Sequence, residues 1–259
     1  EIDKNVQTTV AVWGDCKDTL PMLTSLIAKN DHSAWYNEFE LKKEAEFDAV
    51  IRKELNPEAG GLTMGEVIHL LNEITQGEAV IVTDVGQHQM VASRYSKQNH
   101  PRSNITSGGL GTMGFALPAA IGAKFGAPDR QVIAIMGDGG AQMNIQELGT
   151  IMQFKPNVKI IILNNCFLGM VRQWQELFHE KRYSFTDIQS PDFVKVAEAY
   201  HIAGKKIDRR EDLKNGLKTM LDHPTSYLLE VMVLHEDNVF PMVPQGRGVA
   251  EIVLRKEDI

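Results

Sequence analysis

The stretch MGDGGAQMNIQELGTIMQFKPNVKIIILNN, residues 136–165, predicts a strand, a helix and a second strand in succession. Residues 131–136 and 158–163 are short runs that are almost wholly apolar, as expected for strands covered by helices on both faces. Parallel strands joined by a helix place their carboxyl ends at one edge of the sheet. Asp138 and Asn165, which follow the two strands, are therefore expected to lie side by side.

The same alternation continues on both sides of this unit. Further strands are predicted at 79–83 and 227–233. Helices are predicted at about 63–76, 112–125, 144–154, 169–179, 191–201 and 209–222. This order predicts the α/β class, with a doubly wound parallel sheet that carries helices on both faces.

The first 60 residues have a different pattern. A short strand is predicted at 8–13 and a helix at about 18–29, and a charged stretch follows. Asn56-Pro57 and Gly60-Gly61 then interrupt the chain. The sequence therefore predicts two parts, residues 1–60 and residues 61–259.

Composition restricts the class of protein. Of the 259 residues, 43% are hydrophobic and 24% charged, and no apolar run approaches the roughly 18 residues of a membrane span. The net charge of −7 and the scattered basic residues argue against nucleic acid as a partner. Cys16 and Cys166 form no CxxC motif, which favours free thiols in a reducing, cytoplasmic setting.

The segment GDGGAQ combines a carboxylate with glycines. Gly139 and Gly140 let the backbone approach a ligand closely, and the spacing of Asn144 and Glu147 predicts a capping box at a helix start that favours an anion. Together with an amide oxygen from Asn165, the carboxylate is a set of hard oxygen donors with low charge, which suits Mg²⁺ bound to a diphosphate. The alternative is that these side chains only cap turns.

Several motifs together resemble one known family. GDG followed after 24 residues by NN is similar to the magnesium-diphosphate motif of thiamine-diphosphate enzymes. The accompanying segments are GQHQM (86–90), ITSGGLGTMGFALPAAIGAKFGAPDR (105–130), NNCFLGMVRQWQELF (164–178) and NVFPMVP (238–244). With them, residues 61–250 resemble the large catalytic subunit of acetohydroxyacid synthase, also called acetolactate synthase. The fold implied is the diphosphate-binding domain of the thiamine-diphosphate-binding fold.

The resemblance implies roles for individual residues. Asp138, Asn165 and the main-chain carbonyl of Phe167 would hold Mg²⁺. The positions implied for the cofactor are Gln87, His88, Gly111, Met113, Gly139, Gly140, Gly169 and Met170. Of these, Gln87, His88, Gly139 and Gly140 would contact the diphosphate, and Gly111 and Met113 the aminopyrimidine.

The implied reaction decarboxylates pyruvate and joins the product to a second 2-ketoacid, pyruvate or 2-ketobutyrate, in branched-chain amino acid biosynthesis. Met170 and Trp174 would face the substrate. Their spacing of four residues is equally typical of helix packing.

The resemblance also implies partners. The family works as a dimer or tetramer with a small regulatory subunit, and its activating glutamate belongs to an N-terminal domain of a neighbouring subunit. No catalytic residue is assigned here for that reason, and the chain is expected to be a C-terminal fragment without turnover.

Three alternatives stay open. The chain could be another thiamine-diphosphate 2-ketoacid decarboxylase or carboligase. GLGTMG, residues 109–114, fits the GxGxxG pattern of dinucleotide-binding oxidoreductases, although PRSNITS precedes it where an apolar strand is required. The third alternative is a non-enzymatic interaction module.

Overall fold

A computed structural model describes residues 1–57 and 60–259. The chain divides into two compact units, Glu1–Glu44 and Ala45–Ile259. The predicted domain boundary at residues 60/61 stays a prediction, and it adjoins two positions, 58 and 59, that lie outside the described residues.

The first unit contains helix α1 (Cys16–Leu26) and most of α2 (Ser33–Glu46). Helix α1 begins where the Asp15 carboxylate accepts a hydrogen bond from the Lys17 amide. The strand predicted at residues 8–13 is wrong, because these residues have no strand conformation. Its apolar residues find no neighbouring strand within this unit, and a strand depends on such pairing.

The second unit is built on six parallel strands. They are β1 (Val80–Thr83), β2 (Asn104–Thr106), β3 (Val132–Gly137), β4 (Val158–Asn164), β5 (Ala203–Ile207) and β6 (Tyr227–Met232), and their spatial order is β2-β1-β3-β4-β6-β5. Its helices are α3 (Arg52–Leu55), α4 (Met64–Thr75), α5 (Gln87–Tyr95), α6 (Ala116–Gly126), α7 (Asp138–Met143), α8 (Leu148–Phe154), α9 (Gly169–Phe178), α10 (Phe193–Ala199) and α11 (Arg210–Asp222).

Alternate residues of the strands pack into two separate hydrophobic cores. Ile133 and Ile135 of β3 pack with residues of α4, α5 and α11 on one face of the sheet. Val132, Ala134 and Met136 pack with α6, α8 and α10 on the other. The predicted doubly wound α/β fold is confirmed.

The register of the central strands sets the position of the site. Gly137 at the end of β3 pairs with Leu163 of β4, so Asp138 and the Asn164-Asn165 pair leave the sheet at the same edge. The polar residues that follow β1 leave at this edge too, because Thr83 pairs with Ile135.

Three local predictions were incomplete or wrong. Strands β2 and β5 were not predicted, since one is three residues long and the other carries two lysines. Helix α5 (Gln87–Tyr95) was not predicted either. The capping box of Asn144 and Glu147 does not form, because the Asn144 amide donates to the Gly114 carbonyl at 2.6 Å and the Glu147 carboxylate accepts from Thr150 at 2.8 Å. The helix that follows β3 begins earlier, at Asp138.

Among the described residues, the longest and most apolar helices fall short of what a bilayer crossing requires.

Candidate functional site

A cavity of about 270 Å³ opens at the carboxyl edge of β1, β3 and β4. Every predicted site residue except Trp174 lines it: Gln87, His88, Gly111, Met113, Asp138, Gly139, Gly140, Asn165, Phe167, Gly169 and Met170. The residues come from four separate segments of the chain. The sheet topology brings them together, since each segment follows a strand or lies in the loop before α6.

Asp138 presents an unpaired carboxylate oxygen. The side chain is almost completely buried, and its Oδ2 accepts a hydrogen bond from the Ser190 hydroxyl at 2.8 Å. Its Oδ1 has no hydrogen-bond partner among the described residues. Burial raises the pKa of this carboxyl, although the Ser190 hydrogen bond opposes the shift. A buried acceptor without a partner is costly unless a ligand completes it.

Ser190 was missed by the sequence reasoning. It lies in an irregular segment after α9, more than 50 positions from Asp138, and no motif connects the two residues.

The loop after β4 offers two further oxygens beside Asp138. The Asn165 Oδ1 accepts a hydrogen bond from the Phe167 amide at 3.1 Å, which folds the loop back on itself. Cys166 adopts a left-handed conformation between them, with φ of 56°. The Phe167 ring stacks on His235 with ring centroids 4.1 Å apart. These contacts fix the loop that supplies Asn165 and Phe167 to the cavity wall.

Glycine is required where the backbone meets this cavity. A Cβ on Gly140 would lie 1.8 Å from the Asp84 Oδ2, and one on Gly139 would lie 2.7 Å from the Leu168 side chain. A Cβ on Gly169 would lie 2.1 Å from the Gln87 Oε1. At Gly140 the obstacle is the short, buried Asp84 side chain, so the main chain itself forms the cavity wall there. At Gly139 and Gly169 the end of a longer side chain would have to move to admit a Cβ.

Two longer helices begin at the cavity. The first turn of α5 supplies Gln87, His88 and Gln89 to the wall, and the first turn of α9 supplies Gly169 and Met170. First-turn amides lack partners within their helix and carry the positive end of its dipole. The cavity therefore favours a negatively charged group.

His88 is a neutral imidazole. Burial lowers its pKa to about 4, and its Nε2 has no partner among the described residues. At neutral pH the ring offers one N–H group and one acceptor nitrogen.

The carboxamide of Gln87 is fully engaged. Its Nε2 donates to the Gln173 Oε1 at 3.0 Å and to the main-chain carbonyl of Asp237 at 2.8 Å. Its Oε1 accepts from the Asn165 Nδ2 at 3.3 Å. Because both N–H groups are used, the implied contact of Gln87 with a diphosphate would fall to its main-chain amide.

Asp84 is a second buried carboxylate that the sequence reasoning did not assign. It directly follows β1, and its Oδ1 accepts from the Phe115 amide at 2.9 Å at the start of α6. It therefore holds the loop that carries Gly111, with φ of 63°, and Met113. Its position directly after an apolar strand, as for Asp138, is the signal that could have identified it.

Trp174 lies outside the cavity. It is partly buried on α9, one turn after Met170, with its ring centroid 4.8 Å from that of Phe178. The substrate-facing role implied for Trp174 stays a prediction.

The described residues contain no cluster of three or more His, Cys, Asp or Glu side chains that could hold a metal ion. The cation ligands that the sequence motif implies, Asp138, Asn165 and Phe167, include one carboxylate, one side-chain amide and one main-chain carbonyl.

Residues 84–231 match the family described as "Thiamine pyrophosphate enzyme, C-terminal TPP binding domain". The chain belongs to this family. Its cofactor is thiamine diphosphate, which the family uses with Mg²⁺. The family resemblance found in the sequence motifs is confirmed.

Curated relatives carry the same resemblance. The chain is 40% identical to acetolactate synthase 2, chloroplastic, of Nicotiana tabacum over 98% of its own length and 40% of the relative's. It is 41% identical to the acetolactate synthase large subunit of Lactococcus lactis, over 98% of this chain and 43% of that one. For acetolactate synthase isozyme 2 large subunit of Escherichia coli, the identity is 39% over 98% and 45%. The chain spans less than half the length of these relatives.

A solved structure has the same fold. The thiamine diphosphate-dependent 4-hydroxybenzoylformate decarboxylase of Rhodococcus jostii RHA1 superposes with a TM-score of 0.64 and 30% sequence identity. The superposition covers 70% of this chain and 34% of that protein.

Proposed function

We propose that the chain is the cofactor-binding part of an acetolactate synthase. The whole enzyme would decarboxylate pyruvate and condense the product with pyruvate or 2-ketobutyrate, in branched-chain amino acid biosynthesis. The unpaired, buried Asp138 Oδ1 beside Asn165 carries this proposal, because it offers an unsatisfied oxygen to a cation within the part of the chain that matches the cofactor-binding domain. The 38% to 41% identity to acetolactate synthases supports the choice of reaction.

The residues present fit a magnesium ion. Asp138 would contribute its free carboxylate oxygen, Asn165 its amide oxygen, and Phe167 its main-chain carbonyl. Mg²⁺ prefers six oxygen donors and takes several from phosphate and water. A single carboxylate suits this ion, because a second one would repel a diphosphate.

The residues also fit a diphosphate. Gly139 and Gly140 have no Cβ, so their amides can reach phosphate oxygens, and at Gly140 the buried Asp84 leaves no space for a side chain. The helix N-termini of α5 and α9 add positive potential, and neutral His88 can donate one hydrogen bond.

The loop between β2 and α6 faces the remaining part of the cavity. Asp84 anchors this loop at Phe115, which holds Gly111 and Met113 at the cavity wall. In this position Gly111 would accept a hydrogen bond from the aminopyrimidine, and Met113 would pack against the cofactor. When bound, thiamine diphosphate supplies an electron sink for decarboxylation of a 2-ketoacid.

A second candidate is another thiamine-diphosphate 2-ketoacid decarboxylase, which the likeness to the 4-hydroxybenzoylformate decarboxylase favours. The substrate side would decide between them, where Met170 lines the cavity and Trp174 lies one turn further along α9. For the whole enzyme, the proposal includes a dimer or tetramer, a small regulatory subunit and a cytoplasmic location. Product analysis of the whole enzyme, supplied with pyruvate or with an aryl 2-ketoacid, separates the two activities.

The metal assignment is tested by titrating the chain with thiamine diphosphate in a calorimeter, with and without Mg²⁺. We expect Mg²⁺-dependent binding that is lost in Asp138→Ala, at least a hundredfold in affinity, because a buried charged ligand is removed. Asp129→Ala, in a turn at the opposite edge of the sheet, is the matched control and should bind like the wild type.

NAD serves as the control ligand in the same titration. Binding of NAD in place of thiamine diphosphate would favour the dinucleotide alternative, and unchanged Mg²⁺ dependence in Asp138→Ala would contradict the metal assignment.

A further inference from the structure

Three buried carboxamides connect the loop after β4 to the C-terminal segment, residues 237–240. They belong to Asn165 after β4, Gln87 at the start of α5, and Gln173 on α9, and each is less than 5% exposed. They hydrogen bond in a row, from Asn165 to Gln87 at 3.3 Å and from Gln87 to Gln173 at 3.0 Å. Only Gln87 and Asn165 line the cavity.

The main chain of Val239 determines the orientation of Gln173. The Gln173 Nε2 donates to the Val239 carbonyl at 3.0 Å, and its Oε1 accepts from the Val239 amide at 2.9 Å. A carbonyl can only accept and an amide N–H can only donate. A flipped carboxamide would therefore place acceptor against acceptor and donor against donor.

The orientation of Gln87 follows by the same rule. The Asp237 carbonyl accepts from the Gln87 Nε2 at 2.8 Å, and the Gln173 Oε1 accepts from the same nitrogen. The Gln87 Oε1 must then face away from the C-terminal segment, towards Asn165. There it accepts from the Asn165 Nδ2, which leaves the Asn165 Oδ1 on the side of the Phe167 amide and the proposed metal.

We propose that Gln173 and Gln87 are positioning residues which, held by the main chain of residues 237–239, determine which way the Asn165 carboxamide faces. This inference rests on the proposed metal role of Asn165. Three main-chain groups, the Val239 carbonyl, the Val239 amide and the Asp237 carbonyl, thus fix through these hydrogen bonds the position of the amide oxygen that a cation would use. Rotation of Asn165 would present an NH₂ group to the cation, which repels it.

Arg172 helps to fix the position of residues 237–239. Its guanidinium is completely buried, donates to the Asn238 Oδ1 at 2.7 Å and pairs with Glu176 at 2.6 Å. Burial raises the pKa of Glu176, but hydrogen bonds from Lys256, Asn238 and Arg172 outweigh it and lower the pKa to about 2. The ion pair thus stays charged across the working pH range, and residues 237–239 remain in place.

The test is Gln173→Leu in the full 259-residue chain, because leucine keeps most of the volume and removes both hydrogen-bonding groups. At saturating thiamine diphosphate, we expect the Mg²⁺ concentration for half-saturation in calorimetry to rise about tenfold. The side-chain NH₂ protons of Gln87, followed by NMR without any ligand, should exchange with solvent faster than in the wild type.

Arg94→Gln is the matched control. Arg94 hydrogen bonds to the Phe240 carbonyl of the same segment without contacting the row of carboxamides. If it raises the Mg²⁺ requirement as much as Gln173→Leu does, general loosening of the segment explains the effect and the inference is overturned.

The remaining outcomes separate this inference from the proposed function. Unchanged Mg²⁺ half-saturation in Gln173→Leu, with Asp138→Ala still unable to bind, would overturn the positioning role alone. Absence of Mg²⁺-dependent binding in the wild type would overturn both.

Discussion

Buried polar groups at the two edges of the parallel sheet differ in whether they have hydrogen-bond partners. At the amino edge, the Lys159 Nζ donates to the His223 and Thr225 carbonyls at 2.6 Å each, and the Ser226 hydroxyl donates to the Pro156 carbonyl at 2.5 Å. Around the cavity at the carboxyl edge, the Asp84 Oδ2, the His88 Nε2 and the Asp138 Oδ1 are buried and have no partner among the described residues.

This difference distinguishes buried polar groups that stabilise the fold from those that are available to a ligand. A buried polar atom without a partner costs about 1–3 kcal/mol, and folded proteins satisfy nearly all of them. At the amino edge Lys159 and Ser226 follow that rule with main-chain carbonyls as acceptors, and the Asn157 Oδ1, directly before β4, is an exception. The carboxyl edge leaves groups unpaired around a cavity, as expected where a ligand completes them.

The largest expected effect comes from closing the carboxyl edge with a single methyl group. In Gly140→Ala the new Cβ would lie 1.8 Å from the Asp84 Oδ2, so the backbone or the buried carboxylate must move. We expect a loss of about 3 kcal/mol in the free energy of unfolding, from chemical denaturation, together with loss of thiamine diphosphate binding.

Gly122→Ala is the matched control for that substitution. Gly122 lies on the exposed side of α6, and its Cβ would meet no atom within 4 Å. Removing a glycine from a helix should stabilise the protein by roughly 0.5–1 kcal/mol. Equal effects at the two glycines would remove the steric basis of the comparison.

A smaller effect is expected from the imidazole of His88. Its pKa is about 4 in the folded protein and 6.5 when unperturbed, so the unfolded chain binds more protons between these values. Stability should therefore fall as the pH falls from 6.5 to 4, by up to about 3 kcal/mol. His88→Gln should remove this part of the slope in denaturation curves measured across the range.

The control for His88 is His179→Gln, at an exposed position after α9. It should keep the slope of the wild type. A wild-type stability that is flat between pH 6.5 and 4 would mean that His88 is protonated as easily in the folded chain as in the unfolded one.

The smallest effect is expected at the amino edge. Burial and the neighbouring Lys124 lower the pKa of Lys159 to about 8, from an unperturbed 10.5. Because the unfolded chain holds this proton to higher pH, stability should rise between pH 8 and 10.5, by about 2 kcal/mol. Lys159→Met should remove that rise and leave Mg²⁺-dependent cofactor binding unchanged; a weakened affinity would show that the two edges are coupled.

The repeating apolar runs made most of the fold predictable. The strands at 131–136 and 158–163 were predicted because both faces of a central strand are covered and its sequence is continuously apolar. Strand β5 escaped detection because an edge strand keeps one side open to water, and its lysines hide the pattern.

Helix α5 escaped prediction for a different reason. The buried face of a helix is usually apolar, but in QHQMVASRY the buried residues include the polar Gln87 and His88. Both lie at the cavity, and Gln87 also hydrogen bonds to the C-terminal segment. The capping box at Asn144 failed because the Gly114 carbonyl, 30 positions away, competes for the amide. Both outcomes depend on contacts that are distant in sequence.

Local sequence by itself determined the four central strands and the placement of Asp138 and Asn165 at one edge, because side-chain periodicity and the geometry of parallel strands are local properties. Only the tertiary structure decided which polar groups are left without partners and which way each carboxamide faces. Those properties depend on Ser190, Asp237 and Val239, which hydrogen bond to Asp138, Gln87 and Gln173 from remote parts of the chain. Hydrogen-bond partners are a property of the packed chain, and no spacing in the sequence encodes them.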